Sequence, residues 1–253
     1  MTEAAEILGR PASEPASQAL RPIRGLVATQ FLGAFNDSAW KQLIILLAIV
    51  SAATESQGQT AAAMAQVVLM VPLMLASLPA GVLADRAGKR SIIVGAKVAE
   101  LGLMTLGTLA LAVSPTGGWL VLAVLALVGV QAALYSPARY GILPELLPHQ
   151  DLSRGNGLME MASNIALIAG MVAAGPLLQA THGRPWPAGL ILMALSGVGL
   201  AAALRIPDVP AARSEGGLKE TISMAIEAIR ADRVLRLSVV GQVIVWSIAS
   251  LVP

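Results

Sequence analysis

Six stretches of about 20 mostly apolar residues, separated by short polar breaks, constrain this chain more than any other feature. A run of that length, rising 1.5 Å per residue as a helix, crosses the hydrocarbon core of a bilayer. The stretches run from Gly25 to Val50, Ala61 to Ala84, Ser91 to Val113, Gly118 to Ala138, Asn156 to Ala180 and Pro187 to Leu204, and a seventh opens near Val234 and continues to Pro253. Composition agrees: 56% of the 253 residues are hydrophobic and 13% are charged, where a soluble domain carries roughly a quarter charged residues. Fifteen acids and 17 bases cannot cover that much apolar surface, so soluble-enzyme, nucleic-acid-binding and disordered readings fail. The expected fold class is an all-α polytopic membrane protein.

Its domains follow from the same pass. Residues 1–24 form a polar tail with Pro11, Pro15 and Pro22 and no apolar core of their own, unlike a cleavable signal peptide. Residues 25–204 form a six-helix bundle, and 205–233 a polar linker that opens with Pro207, Pro210, Gly216 and Gly217. From Leu218 to Arg233 the spacing of Leu218, Ile222, Ile226 and Ile229 opposite Lys219, Glu220, Glu227 and Arg230 predicts an amphipathic surface helix. It serves as a plain connector or as a docking element. Residues 234–253 begin a seventh span, and the chain ends inside that apolar run. Of the Lys and Arg residues, 14 fall in the tail, the even loops and the segment after the sixth span up to Arg236, against Arg184 alone in the odd loops. This asymmetry places the N-terminus and the linker in the cytoplasm. Trp119 and Trp186 fall at the opposite, outer ends of the fourth and sixth spans, where interfacial rings are favoured.

Two kinds of charged feature remain. The loop between the second and third spans reads GVLADRAGKR, with Gly81, Asp85, Arg86, Gly88, Lys89 and Arg90. Gly81 would admit a close helix approach and Gly88 a sharp turn. Other charges lie inside the spans. Asn36, Asp37 and Lys41 interrupt the first span, with Asp37 about 18 Å along it, near the bilayer midplane. Asp37 and Lys41 share a face at i, i+4 and could neutralise one another, either as a structural pair or as groups facing a cavity. Lys97 and Glu100 repeat this at i, i+3 in the third span, with Lys97 near enough to the end to snorkel. Glu160, with Asn156, opens the fifth span, where an acid suits the helix N-terminus. Pro137, Gly141 and Pro144 predict irregular backbone around Arg139 and Tyr140, a position that suits a cation meeting a phosphate or fixing topology. There is no cysteine, His149 and His182 both fall in loops, and no nucleotide loop is present. Neither a metal nor a cofactor is expected, and no catalytic constellation is seen.

The loop string resembles the cytoplasmic loop signature of the major facilitator superfamily: G, three residues, DR, one residue, G, then two bases. That resemblance implies a gating role for Asp85 and Arg86. A fainter echo, GPLLQATHGR from Gly175 to Arg184, follows the fifth span, as inverted three-helix repeats would produce. Gly170, Gly175 and Pro176 depart from the glycine-rich fifth-helix signature of proton-coupled drug antiporters. Four further strings, FLGAFNDSAWK, YSPARYGILPELL, GNGLMEMAS and RLSVVGQVIVW, resemble the bacterial lysophospholipid transporter group, which includes stand-alone transporters and domains fused to an acyltransferase and acyl-carrier-protein ligase. The resemblance covers about residues 25–250. It implies an N-terminal six-helix half plus the start of the seventh helix, hence a fragment of a transporter of about twelve spans. It also implies a bacterial inner-membrane location, movement of lysophospholipid from outer to inner leaflet for reacylation, and a possible fused or separate acyltransferase partner. Asp37 and Arg139 match polar positions of its path, Arg139 standing where relatives have Lys. Proton-coupled drug or metabolite export, and a non-transporting anchor for an acyltransferase, remain the alternatives.

Overall fold

The computed structural model describes residues 20–181, 184–209, 223, 227 and 230–249. The chain divides into two compact units between residues 212 and 213. In the first, each expected span is a helix: α1 (Arg24–Val50), α2 (Glu55–Arg86), α3 (Lys89–Val113), α4 (Trp119–Gly141), α5 (Leu152–Ala180) and α6 (Trp186–Ala203). Five of them are long and apolar enough to cross a membrane. The sixth, α1, is long enough, but Asn36, Asp37, Lys41 and Gln42 dilute its apolar content. No strand occurs among the described residues.

Two helices begin before their apolar runs, and in α2 a side-chain cap sets the start. Thr54 accepts a hydrogen bond from the Gln57 N–H at 3.3 Å and Glu55 occupies the first turn, so the polar segment after it is already helical in α2. α5 starts at Leu152, which puts Glu160 about two turns inside the helix and corrects its reading as an N-terminal acid. The backbone around Arg139 and Tyr140 is also regular, contrary to expectation. α4 runs through Pro137 to Gly141, since one missing N–H is tolerable where neighbouring helices pack. The break comes at Ile142, followed by a single helical turn, Leu143–Leu146, that carries Pro144 in its first turn, where the absent N–H would have had no partner.

α1 packs chiefly on α5 and α6, α2 on α4, and α3 on α6 and α4. Exchanging the first three helices for the last three converts α1·α5 into α4·α2 and α1·α6 into α4·α3. This is the packing of inverted three-helix repeats, which the sequence carries only as an echo. Glycines let the paired backbones meet. A Cβ on Gly170 would stand 2.4 Å from the Phe35 carbonyl oxygen on α1, and one on Gly129 would stand 2.4 Å from that of Leu69 on α2.

Buried apolar residues form two cores. One gathers Trp40, Leu43, Leu111, Leu125 and Leu192, the other Ile23, Leu26, Ile93, Ile142 and Met159. Between them, α1 contributes Gln30, Gly33 and Asn36, α3 contributes Lys97 and Glu100, and α4 contributes Gln131, all buried. The bundle is therefore layered, with a polar stratum between two apolar ones.

The second unit contains α7 (Arg233–Ala249), started by Asp232, whose Oδ1 accepts the N–H groups of Val234 at 2.8 Å and Leu235 at 3.4 Å. The tail before residue 20, the end of the seventh span after residue 249 and most of the expected amphipathic helix lie outside the described residues. Ser223, Glu227 and Arg230 are helical and exposed.

Candidate functional site

The polar stratum opens into a cavity of about 590 Å³ lined by α1, α2, α3, α4 and α5, within the usual size range of small-molecule sites. Asp37 and Lys41 reach it from α1, Lys97 from α3, and Tyr135, Arg139 and Tyr140 from α4, while Leu69, Leu73, Val128 and Leu167 supply apolar wall. Five of the residues singled out in the sequence thus share one cavity: Asp37, Lys41, Lys97, Arg139 and Tyr140.

Of the two same-face pairs that spacing allows, one forms and one does not. No ion pair joins Asp37 to Lys41; the charges close enough to act on Asp37 are Glu100, Lys97 and Arg139. The pair that forms is Lys97–Glu100, at 2.5 Å, with side chains 1% and 2% exposed. Lys97 therefore does not snorkel. The apolar core around Ile93 and Ala96 separates it from the helix end, and its ammonium instead lies 5.0 Å from the centroid of the Tyr135 ring. Asn36 donates from Nδ2 to the Glu100 Oε1 at 3.2 Å. Asn36 and Glu100 thus stand behind the cavity wall, holding Lys97.

At the edge of the cavity, the Arg139 guanidinium lies 4.4 Å from the Tyr140 ring centroid and donates to the Tyr140 hydroxyl at 2.8 Å. That hydroxyl donates in turn to Glu160. Glu160 so belongs to the rim, not to a helix cap. Several buried polar atoms of cavity residues have no hydrogen-bond partner: Asp37 Oδ1, Arg139 Nε, Gln30 Oε1, Gln131 Oε1 and the Tyr135 hydroxyl. Buried polar groups are normally satisfied, because an unpaired one costs about 1–3 kcal/mol. These unpartnered atoms, of both donor and acceptor character, gather on one cavity.

The loop between α2 and α3 is held differently. Lys89 pairs with Glu145 in the turn after α4, with side chains 17% and 20% exposed. Arg90 donates from Nε to the Ile206 carbonyl at 2.7 Å and from Nη2 to that of Leu204 at 3.2 Å, satisfying carbonyls that the end of α6 leaves free. Arg86 is exposed, and the Asp85 side chain lies outside the described residues. Among the described residues neither glycine of the loop makes a close approach or a positive-φ turn. Gly81 has nothing within 4 Å of where a Cβ would stand, and Gly88, at φ −60°, has a backbone open to any residue. The sharp turn that does need glycine is between α3 and α4, where Gly117 and Gly118 have φ of 90° and 124°.

Sequence reasoning passed over Gln30, which donates to Ser163 at 2.7 Å, Ser38, bonded to the Leu167 carbonyl at 2.8 Å, and Gln131, which donates to the Ala96 carbonyl at 3.1 Å. It also passed over Tyr135 and Glu145. Gln30 and Gln131 carried a signal, each being an uncharged polar residue inside an apolar run. Tyr135 and Glu145 stand within a quoted string but carry no separate mark.

Residues 26–253 match the family described as Major Facilitator Superfamily. Lysophospholipid transporters LplT from Photorhabdus laumondii and Pectobacterium carotovorum are 30% and 32% identical over 89% and 92% of the chain, covering 54% and 55% of those proteins. One from Escherichia coli is 32% identical over 88% of the chain and 54% of its own length. The chain spans about half the length of these relatives. Among solved structures, a POT family transporter in complex with 5-aminolevulinic acid superposes with a TM-score of 0.60 at 18% identity, over 91% of this chain and 48% of that one, a likeness of fold. With six helices packed as paired repeats and a match over nearly its whole length, the chain belongs to the major facilitator superfamily.

Proposed function

We propose that the chain forms the N-terminal half of a transporter that moves lysophospholipid, such as lysophosphatidylethanolamine, from the outer to the inner leaflet of a bacterial inner membrane for reacylation. The observation that carries this reading is the cavity holding both an unpartnered carboxylate oxygen, on Asp37, and an unpartnered guanidinium nitrogen, on Arg139. A zwitterionic headgroup offers one ammonium and one phosphate to such a pair, and charge-assisted hydrogen bonds are the strong ones. Asp37 takes the amine, and Arg139 takes the phosphate, assisted by Lys41. The names of the similar LplT proteins support the substrate class. In this reading the N-terminus is cytoplasmic, α7 begins the second half, and alternating access comes from rocking of the two halves. The loop carrying Asp85 and Arg86 acts as the gate, latched by Lys89 and Arg90. An acyltransferase, fused or separate, receives the flipped lipid, and the transporter half itself has no enzymatic role.

The test is flipping of lysophosphatidylethanolamine by the full-length gene product in proteoliposomes. Asp37→Asn and Arg139→Ala are each expected to lose it while still inserting. Wild-type flipping in both variants would remove the site.

A further inference from the structure

The Lys97–Glu100 pair carries more than the proposed function uses. It lies in a membrane-spanning bundle, where a buried charge is costly, and its ammonium sits beside Gly33 on α1. A Cβ on Gly33 would stand 2.1 Å from the Lys97 Nζ, so the ammonium lies against bare α1 backbone. Gly33 and Asp37 are i and i+4, one helical turn of 5.4 Å apart on the same face. Lys97 is also among the charges that act on Asp37, and both line the cavity. Two carboxylates therefore compete for one ammonium. Glu100 holds it, at 2.5 Å, with its other oxygen fixed by Asn36 at 3.2 Å, and Asp37 Oδ1 is left without a partner.

We propose that Glu100 is a specificity-determining residue: by sequestering Lys97 on α3 it leaves Asp37 without a basic side-chain partner, so that its carboxyl group is open to a headgroup ammonium and the cavity favours lysolipids that carry one. This rests on the reading of Asp37 as the amine-binding group. Removing the Glu100 charge frees Lys97 to pair with Asp37, and an amine-bearing headgroup then loses its counter-ion. A headgroup with phosphate but no amine keeps its contacts with Arg139. Removing Lys97 as well leaves nothing to occupy Asp37, and selectivity returns.

The test compares uptake of lysophosphatidylethanolamine and lysophosphatidylglycerol by the reconstituted full-length gene product carrying Glu100→Gln, Glu100→Gln with Lys97→Met, or Asp37→Asn. Glu100→Gln is expected to lower uptake of the ethanolamine lipid about tenfold or more, the worth of one charge-assisted contact, with the glycerol lipid changed less than about threefold. The double variant is expected to restore the ethanolamine preference. Equal loss of both lipids in Glu100→Gln, with no recovery in the double variant, would make the pair a scaffold only and overturn the proposal. If Glu100→Gln does not accumulate in the membrane, the double variant decides: a retained ethanolamine preference supports the proposal and equal loss of both lipids defeats it. Wild-type uptake in Asp37→Asn would instead overturn the reading of Asp37, and this inference with it.

Discussion

Lys97–Glu100 and Lys89–Glu145 join the same two residue types in two different solvents. The first is 1% and 2% exposed in the polar stratum of the bundle; the second is 17% and 20% exposed where the α2–α3 loop meets the turn after α4. An exposed pair is worth about 0–1 kcal/mol, because water competes for both partners. A buried pair pays several kcal/mol of desolvation per ion and rarely repays its replacement by apolar side chains, yet losing one partner of it costs about 3–5 kcal/mol. The costly pair lies beside the cavity, and the weaker one ties the α2–α3 loop to the turn after α4.

The largest effect should come from breaking the buried pair on its basic side. Lys97→Met leaves Glu100 with Asn36 alone and with Asp37 as a second nearby anion, so a loss of about 3–5 kcal/mol is expected in denaturant unfolding of the detergent-solubilised protein. Glu100→Gln should cost less, because Asp37 can take over Lys97. Equal losses for the two would break the idea that the carboxylates compete.

Gly33→Ala comes next. Its Cβ would meet the Lys97 Nζ at 2.1 Å, and displacing an ammonium held by Glu100 should cost about 1–3 kcal/mol, as overpacking does. A neutral result would show that Lys97 has room to move without disturbing its partner. Asp37→Asn separates stability from function. Because Asp37 Oδ1 is buried without a partner and a neutral amide is cheaper to bury than an unpaired carboxylate, unfolding should show no loss of stability, while lysolipid flipping falls about 10- to 100-fold, the equivalent of one charge-assisted contact. The smallest effect belongs to the exposed pair. Lys89→Gln should cost no more than about 1 kcal/mol, and raising the salt concentration should shrink even that difference.

Much of the fold could be read from the sequence because each span is decided within itself. Hydropathy located α1 to α6 and the start of α7, and missed mainly where helices extend into polar sequence, as after the Thr54 cap and in the first turn of α5. The residues of the site were also legible, since Asp37, Lys97, Arg139 and Tyr140 stand out in apolar surroundings. Their pairing was legible only for Lys97 and Glu100, which share a helix face. Helical spacing gives Asp37 the partner Lys41 on its own helix, but packing brings the Lys97 ammonium from α3 against Gly33 on α1, and no spacing rule within one helix contains that approach. The same holds for Glu160, whose partner Tyr140 lies on α4, and for Gly129 and Gly170, which only the close approach of neighbouring backbones explains.

The central claim is that a lysolipid headgroup occupies the cavity between Asp37 and Arg139. The chain contains no cysteine, so Ser136→Cys, on the cavity wall, supplies the only thiol within these residues. In the full-length gene product, with any cysteine elsewhere replaced, the rate of maleimide labelling at that position measures access to the cavity. Lysophosphatidylethanolamine should slow the labelling, and Asp37→Asn should abolish the protection. A labelling rate that saturating lysophosphatidylethanolamine leaves unchanged would contradict the claim.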